Sequence, residues 1–120
     1  MEALLVEDDN DVARLIQLYL SEIKVGVTHL DSGDKVAKHL DTQKHPDVIL
    51  LDLMLPGKSG FEVIKDIKLS RRTKHIPVII ISSRRTVGDL EKCFNLGAKS
   101  YIMKPIDPDR LLDKVKEHMH

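Results

Sequence analysis

A chain of 120 residues is long enough for one domain with a hydrophobic core and short for two, so residues 1–120 are expected to form a single domain. The 19 basic and 19 acidic side chains balance, which argues against a general nucleic-acid or anionic-membrane binder. The single cysteine, Cys93, cannot form an internal disulfide, and no apolar run approaches the roughly 20 residues of a membrane span. We therefore expect a cytoplasmic location.

Along the chain, short segments rich in aliphatic and β-branched residues predict five strands. These segments are Ala3–Val6, Gly26–Leu30, Asp47–Leu51, Pro77–Ile81 and Tyr101–Met103. Three of them are apolar without alternation, which is typical of strands buried on both faces of a parallel sheet.

Between the strands, apolar residues recur at helical spacing and predict five helices. The predicted apolar stripes are Val12, Leu15, Ile16, Tyr19, Leu20 and Ile23; Val36, Ala37 and Leu40; Phe61, Ile64 and Ile67; Val87, Leu90, Cys93 and Phe94; and Leu111, Leu112, Val115 and Met119. Asn10 or Asp11 is expected to cap the first helix, and Gly97 to follow the fourth in a left-handed conformation. Asp107 and Pro108 are expected to open the last helix.

The strict alternation of strands and helices predicts an α/β fold with right-handed crossovers and helices on both faces of the sheet. Five strands favour a flavodoxin-like, doubly wound (βα)5 parallel sheet with strand order 2-1-3-4-5. In such sheets, functional sites form at the carboxyl ends of the strands, beside strands 1 and 3.

Charged and hydroxyl side chains follow four of the predicted strands. They are Glu7, Asp8 and Asp9 after the first, Asp52 after the third, Ser82 and Ser83 after the fourth, and Lys104 before Pro105 after the fifth. Carboxylates brought together repel one another, and a hard divalent cation removes that conflict. The set contains no histidine or cysteine, which favours Mg²⁺, or Mn²⁺, over Zn²⁺. A carboxylate beside such a cation, a lysine and a hydroxyl can attack a phosphoryl group to form an aspartyl phosphate.

Each of these residues also has an ordinary structural interpretation. Taken alone, Asp52 is typical of a turn after a strand, and the segment "EDDND" is typical of a solvated helix start. Ser82 alone is typical of a loop hydroxyl and Lys104 of a surface lysine. Suitable groups at four strand ends of one sheet edge are hard to obtain by chance, and this coincidence favours a shared site.

These residues carry a resemblance to a known family. The segments "LLVEDD", "PDVILLDLMLPGKSGFEVIKDIK", "HIPVIIIS" and "LGAKSYIMKPI" resemble the receiver domain of two-component response regulators, of the chemotaxis-regulator type. The resemblance runs from Glu2 to about Val115. The separations of Asp8, Ser82 and Lys104 from Asp52 are also similar to those usual in the family.

The resemblance implies a role for each matching position. Asp52 would be the phosphoacceptor, and Mg²⁺ would be held by Glu7, Asp8, Asp52 and the backbone carbonyl of Met54. Ser82 would bond a phosphoryl oxygen as the switch hydroxyl. Lys104 would form an ion pair with the phosphoryl group, with a cis bond to Pro105. Tyr101 matches the aromatic switch position, although by itself it is typical of a plain aromatic in an edge strand.

The implied function is phosphoryl transfer from a histidine kinase or a histidine phosphotransfer protein to Asp52. The domain would catalyse only its own phosphorylation and dephosphorylation. Phosphorylation would switch the face formed by helix 4, strand 5 and helix 5 for an unknown output partner, with Arg84, Arg85 and Gly88 at a reshaping edge. The domain itself is expected to bind no nucleic acid or membrane, and to be a monomer or a phosphorylation-dependent dimer.

Three other classes of protein remain as alternatives at this point. A flavin or nucleotide binder would need a glycine-rich phosphate loop after a strand, and none follows. A haloacid-dehalogenase-type phosphatase would need a second acid at the position of Met54. A pure interaction scaffold would not be phosphorylated at Asp52. The first acid, Glu7, and the hydroxyl, Ser82, are variants that the family also uses.

Overall fold

The computed structural model of this chain describes residues 1–83 and 86–118. The strands are β1 (Glu2–Val6), β2 (Gly26–Leu30), β3 (Val48–Asp52), β4 (Val78–Ser82) and β5 (Ser100–Met103). The helices are α1 (Asn10–Ser21), α2 (Val36–Thr42), α3 (Gly60–Leu69), α4 (Val87–Asn95) and α5 (Pro108–His118), and a 3-10 turn, Gly33–Lys35, precedes α2. The predictions for Arg84, Arg85 and Met119 lie outside the described residues.

All strands pair in parallel in the order β2-β1-β3-β4-β5, which confirms the predicted fold class. β1 pairs with both β2 and β3, so the chain changes direction of winding beside β1. Every residue of β3 and β4 is buried, as expected for central strands covered by helices on both faces. The carboxyl ends of β1 and β3 therefore meet at the predicted point of the sheet.

Two hydrophobic layers cover the two faces of the sheet. On one face, α1 and α5 contribute Ala13, Ile16, Leu20, Leu111 and Val115 against Ala3, Leu5, Leu50, Ile79 and Ile102. On the other face, α2, α3 and α4 contribute Val36, Leu40, Val63, Ile64, Ile67 and Cys93 against Leu4, Val6, Ile49, Leu51 and Ile80. Burial of such side chains stabilises the fold by about 1.5–3 kcal/mol each.

Several local predictions are confirmed and others are wrong. Gly97 has φ +112°, and Ala98 N–H donates to the Cys93 carbonyl at 3.0 Å, which closes α4 in the predicted way. Asp107 caps α5, since its carboxylate accepts from Asp109 N–H at 3.1 Å. The cap of α1 is Asp9 rather than Asn10 or Asp11, because the carboxylate of Asp9 accepts from the N–H groups of Asp11 and Val12.

Some predicted core positions are exposed instead. Leu15, Ala37, Val87 and Phe94 are exposed, and Ile23 lies beyond the end of α1. In α1, α2 and α4 the buried face is narrower than the predicted apolar stripe, because a short helix covers only part of a five-stranded sheet. No helix in the described ranges is long and apolar enough to cross a membrane.

Candidate functional site

Glu7 follows β1 directly and is fully buried. Its backbone is fixed by β2, since Glu7 N–H donates to the Leu30 carbonyl at 3.0 Å and the Glu7 carbonyl lies 2.6 Å from His29 Nε2. Its Oε1 accepts from Lys104 Nζ at 2.5 Å, whereas its buried Oε2 accepts no hydrogen bond from any described residue. A buried carboxylate oxygen without a donor is costly and fits a position that faces a cation.

Asp52 ends β3 and is 4% exposed. Its Oδ2 accepts from Lys104 Nζ at 3.1 Å, and its Oδ1 accepts from the N–H of Met54 at 3.2 Å. Asp52 is thus the last residue of β3, whereas the predicted strand ended one residue earlier, at Leu51. The rigid central strand holds the carboxylate at the edge of the sheet.

Lys104 directly follows the edge strand β5, and its side chain extends across the end of β4 to the two carboxylates. Its N–H donates to the Ser82 carbonyl at 2.9 Å, and its peptide bond to Pro105 is cis, as expected. Burial by itself would lower the pKa of Lys104, but the carboxylates of Glu7 and Asp52 outweigh it and raise that pKa. The ammonium group therefore stays charged beside both acids.

The acidic side chains at this edge are close enough to repel one another when charged. Carboxylate oxygens of Glu7, Asp8 and Asp52 all lie within 4.8 Å of one another. Burial, and next the neighbouring Asp52, raise the pKa of Glu7 to about 8, against the opposing effect of Lys104. Asp8 is exposed, so a cation can reach the cluster from solvent. Three oxygen donors of this kind fit a hard divalent cation such as Mg²⁺ or Mn²⁺.

The remaining predicted residues lie at the same edge or beside it. Ser82 ends β4 and is fully buried, one residue beyond Ile81, which pairs with Asp52. The side chain of Met54, two residues after Asp52, is exposed. Tyr101 is buried in the core layer under α4. Asp9, predicted as a third acidic neighbour of lesser weight, serves as the cap of α1.

Sequence reasoning did not single out Gly60, the first residue of α3. A Cβ atom there would lie 2.3 Å from the carbonyl oxygen of Asp52 and 2.6 Å from the Cα of Leu53. Gly60 N–H also donates to the Leu53 carbonyl at 3.0 Å. The start of α3 therefore packs directly on the backbone that carries Asp52, and only glycine leaves room for it.

Comparison with known proteins agrees with this geometry. The family described as "Response regulator receiver domain" matches residues 3–116. This chain belongs to that family. It is a signalling domain of two-component response regulators, and its acidic cluster fits the phosphorylation site and a divalent metal site of such domains.

Individual relatives cover almost the whole chain. The two-component response regulator ORR13 of rice (Oryza sativa subsp. japonica) is 35% identical in an alignment 116 residues long that covers 93% of this chain and 96% of that protein. The Mn²⁺-bound form of response regulator Rcp1 is similar with a TM-score of 0.84 and 30% identity, covering 97% of this chain and 89% of that one. The BeF3-activated receiver domain of Klebsiella pneumoniae RstA gives a TM-score of 0.89 and 30% identity, covering 98% and 97%.

Proposed function

We propose that Asp52 is the phosphoacceptor of this receiver domain. The observation that carries the proposal is a buried carboxylate at the carboxyl edge of the sheet, 3.1 Å from Lys104 Nζ and clustered with two further acids. A carboxylate oxygen of Asp52 forms the new O–P bond. The N–P bond of a donor phosphohistidine breaks, and the imidazole nitrogen leaves with the electron pair and takes a proton.

The residues around Asp52 position the phosphoryl group and offset its charge. Lys104 supplies a fixed positive charge for the transferred oxygens, and the hydroxyl of Ser82 lies on the neighbouring strand end. Glu7, Asp8, Asp52 and the carbonyl of Met54 would hold Mg²⁺, with Mn²⁺ as a possible substitute. When bound, this cation supplies positive charge that offsets the repulsion between the acids and the incoming phosphoryl oxygens.

Phosphorylation by a small acyl phosphate tests the acceptor directly. The wild-type chain incubated with Mg²⁺ and acetyl phosphate should gain the mass of one phosphoryl group in intact-mass spectrometry. Asp52→Asn should gain none, whereas Asp113→Asn, an exposed acid of α5, should behave as the wild type. Equal labelling of Asp52→Asn and wild type would refute the assignment.

The added dianionic charge would pull on Ser82 and Lys104 and shift a pre-existing equilibrium of the α4–β5–α5 face. Exposed apolar side chains on α4 and β5 support this face as an output surface: Val87, Phe94 and Met103. Tyr101 lies beneath it, buried on β5, where a change of its ring position would alter the packing of α4. The proposed role of Tyr101 is that of the switch aromatic.

Amide chemical shifts test the switch. With beryllofluoride and Mg²⁺, the largest shifts away from residue 52 should fall within residues 82–105. Tyr101→Leu should keep the acceptor reaction but reduce the shifts in α4. Shifts confined to the immediate neighbours of Asp52 would contradict the switch while leaving the acceptor assignment intact.

The phosphoryl donor is proposed to be a histidine kinase or a histidine phosphotransfer protein, because both present a phosphohistidine whose imidazole is the leaving group. The domain would catalyse only its own phosphorylation and dephosphorylation. Light scattering with and without beryllofluoride distinguishes a constant monomer from a phosphorylation-dependent dimer. The cytoplasmic location stays a prediction.

A further inference from the structure

Three neighbouring loops form the end of the molecule opposite Asp52. They are residues 43–47 before β3, 70–77 before β4 and 96–99 before β5. β3, β4 and β5 are adjacent and parallel, with Ile49 beside Val78 and Ile79 beside Ser100. These loops therefore lie side by side at the amino edge of the sheet, and together with the end of α3 they are called the basic end here.

The basic end carries far more positive than negative charge. Its cations are Lys44, Lys68, Arg71, Arg72, Lys74 and Lys99, and two histidines, His45 and His75, lie among them. The nearby acids are Glu2, Asp41 and Asp47. The carboxylate of Asp47 already accepts from the N–H of Glu2 at 2.8 Å. Asp41 lies 3.8 Å from Arg72 with both side chains more than half exposed, so that pair neutralises little.

Contacts across the loops make the basic end one continuous surface. The ring centroids of His45 and His75 are 6.3 Å apart, which joins the first loop to the second. Lys68 Nζ donates to the carbonyls of Lys74 and Ile76 at 3.0 and 2.6 Å. The pKa of Lys68 is lowered chiefly by burial and also by the charge of Lys99 in the third loop. The ammonium groups of Lys68 and Lys99 are therefore close enough to repel each other. Lys44, Arg71 and Lys74 form no ion pair with any described residue.

The central loop of this surface is held in a fixed shape. The N–H groups of Thr73 and Lys74 both donate to the Ser70 carbonyl, at 3.2 and 2.9 Å. The buried hydroxyl of Thr73 donates to the Ile67 carbonyl at 2.7 Å. A fixed loop loses little conformational entropy when a partner binds. Leu69, directly before this loop, is 74% exposed and offers an apolar contact beside the cations.

We propose that the basic end is a docking surface for an acidic segment of a partner protein that also carries an apolar side chain. Carboxylates match the planar donors of Arg71 and Arg72, and an apolar residue matches Leu69. The three loops contain no tryptophan, tyrosine or phenylalanine. Apart from the histidines, they therefore lack the large aromatic rings that favour stacking of single-stranded nucleic acids and anchoring at membrane interfaces.

This surface acts independently of phosphorylation. A five-residue strand is about 17 Å long, roughly twice the Debye length of about 8 Å at physiological ionic strength. The charge of a phosphoryl group on Asp52 is thus screened from the basic end. The docking surface would keep a partner bound in both states of the domain, while the α4–β5–α5 face reports the state.

Fluorescence anisotropy with a defined probe tests the proposal on the full chain. The probe is a labelled twelve-residue peptide of ten glutamates and two leucines, and its counterpart replaces the glutamates by lysines. We expect saturable binding of the acidic peptide at physiological salt, weakening as salt rises, and none of the basic one. The double variant Arg71→Glu, Lys74→Glu should weaken binding by about tenfold or more, since two favourable charges become repulsive.

Matched controls separate the surface from net charge. Lys38→Glu, Lys65→Glu makes the same change in net charge at exposed positions of α2 and α3, and should bind like the wild type. Leu69→Gln should weaken binding with the charges intact. Asp52→Asn and beryllofluoride should leave the affinity unchanged, so the result does not depend on the acceptor assignment.

Three outcomes would overturn the proposal. One is the absence of saturable binding at physiological salt, and another is an equal loss in both double variants. The third is tighter binding of a twelve-residue thymidine oligonucleotide, or of vesicles containing phosphatidylserine, than of the acidic peptide. That result would replace the acidic protein segment by a nucleic acid or a membrane as the partner.

Discussion

The backbone around Asp52 leaves no space for a side chain at Gly60. The atoms that a Cβ would meet are the carbonyl oxygen of Asp52 and the Cα of Leu53, and neither can move without moving the strand end. We expect Gly60→Ala to lower the free energy of unfolding by about 1–3 kcal/mol. It should also slow phosphorylation by acetyl phosphate by roughly tenfold, because the carboxylate is displaced. Urea denaturation and the rate of mass gain measure the two effects.

Gly88 provides the matched control, since a Cβ there would meet nothing within 4 Å. In α4 the same change, Gly88→Ala, should raise the free energy of unfolding by about 0.5 kcal/mol through helix propensity. Equal destabilisation by both variants would contradict the steric explanation. The sequence gives no basis for separating these two glycines, because each stands at the start of a predicted helix. Only the packing of one of them on Asp52 distinguishes them.

The ammonium group of Lys68 holds the loop before β4 at an electrostatic cost. It donates to two backbone carbonyls, while burial and Lys99 lower its pKa below the ordinary 10.5. The unfolded chain therefore binds this proton more tightly than the folded chain does. The contribution of Lys68 to stability should rise with pH from the lowered pKa up to 10.5 and stay constant below that window.

Lys68→Met removes both the charge and the donors. We expect this variant to be less stable than the wild type by about 1–2 kcal/mol at pH 7, because the carbonyls lose their hydrogen bonds. The difference should be wider at pH 10 than at pH 7, because the lowered pKa lets the folded wild type lose this proton before the unfolded chain does. Urea denaturation at the two pH values measures it, and Lys65→Met on the exposed side of α3 controls for the loss of a lysine. A difference that narrows at pH 10 would show that burial does not lower this pKa.

Among the five helices described, α4 buries the fewest residues. Cys93 is its one buried residue, whereas α3, of similar length, buries Gly60, Val63, Ile64 and Ile67. The ammonium group of Lys92 lies 4.2 Å from the ring centroid of Phe61, so part of the attachment of α4 is a surface cation–π contact. Such a helix can change position at small cost, which suits an element of a switching face.

Hydrogen exchange tests this difference between the two helices. The amides of α4 should open with a free energy at least about 1–2 kcal/mol below that of α3, because local stability follows buried apolar contact. Native-state exchange followed by NMR reports both helices in one experiment. Equal protection would mean that α4 opens only with the whole domain, and the switch would then need another moving element.

The exposed faces of α4 also explain why its core could not be predicted well. Val87, Leu90, Cys93 and Phe94 follow helical spacing, yet Val87 is 69% exposed and Phe94 is exposed too. Periodicity identifies an amphipathic helix but does not show how much of the stripe the sheet covers. The strands were predicted to within one residue, because a run such as "VIII" in β4 has little alternative to a fully buried strand.

At the scale of the whole molecule, strand order determines where the site lies, because it brings the carboxyl ends of β1 and β3 together. The alternation of strands and helices predicts that the chain changes its direction of winding beside β1. That change places Glu7, Asp8 and Asp52 at one edge of the sheet. The acids were thus predictable from the sequence through topology. The buried Oε2 of Glu7 and the close packing of Gly60 were not, because both depend on distances that spacing does not fix.

Zero net charge likewise hides a separation of charge along the strands. Three acids cluster at the carboxyl edge (Glu7, Asp8 and Asp52), whereas six basic side chains lie at the basic end. Summing over the chain cancels the two, although they are too far apart to cancel in solution. The balance of 19 and 19 argues against a general polyanion binder, but it does not describe either end of the molecule.

The acidic edge should make the stability of the whole domain depend on divalent cations. A cation that binds only the folded chain adds about 1.4 kcal/mol to the free energy of unfolding at a concentration tenfold above its Kd. We expect Mg²⁺ to stabilise the wild type in this way and a chelator to reverse the effect. Urea denaturation with MgCl₂, compared with NaCl at equal ionic strength, measures it.

Asp8→Asn separates cation binding from general screening. It removes the exposed member of the cluster, so without Mg²⁺ it should be as stable as the wild type or more so, because one repulsion is gone. With Mg²⁺ the free energy of unfolding of Asp8→Asn should increase little. Asp11 is an exposed acid in the first turn of α1, and Asp11→Asn should be stabilised by Mg²⁺ as much as the wild type is. If Asp8→Asn gains as much stability from Mg²⁺ as the wild type, the cation binds elsewhere, and Lys104 alone offsets the repulsion between the acids at this edge.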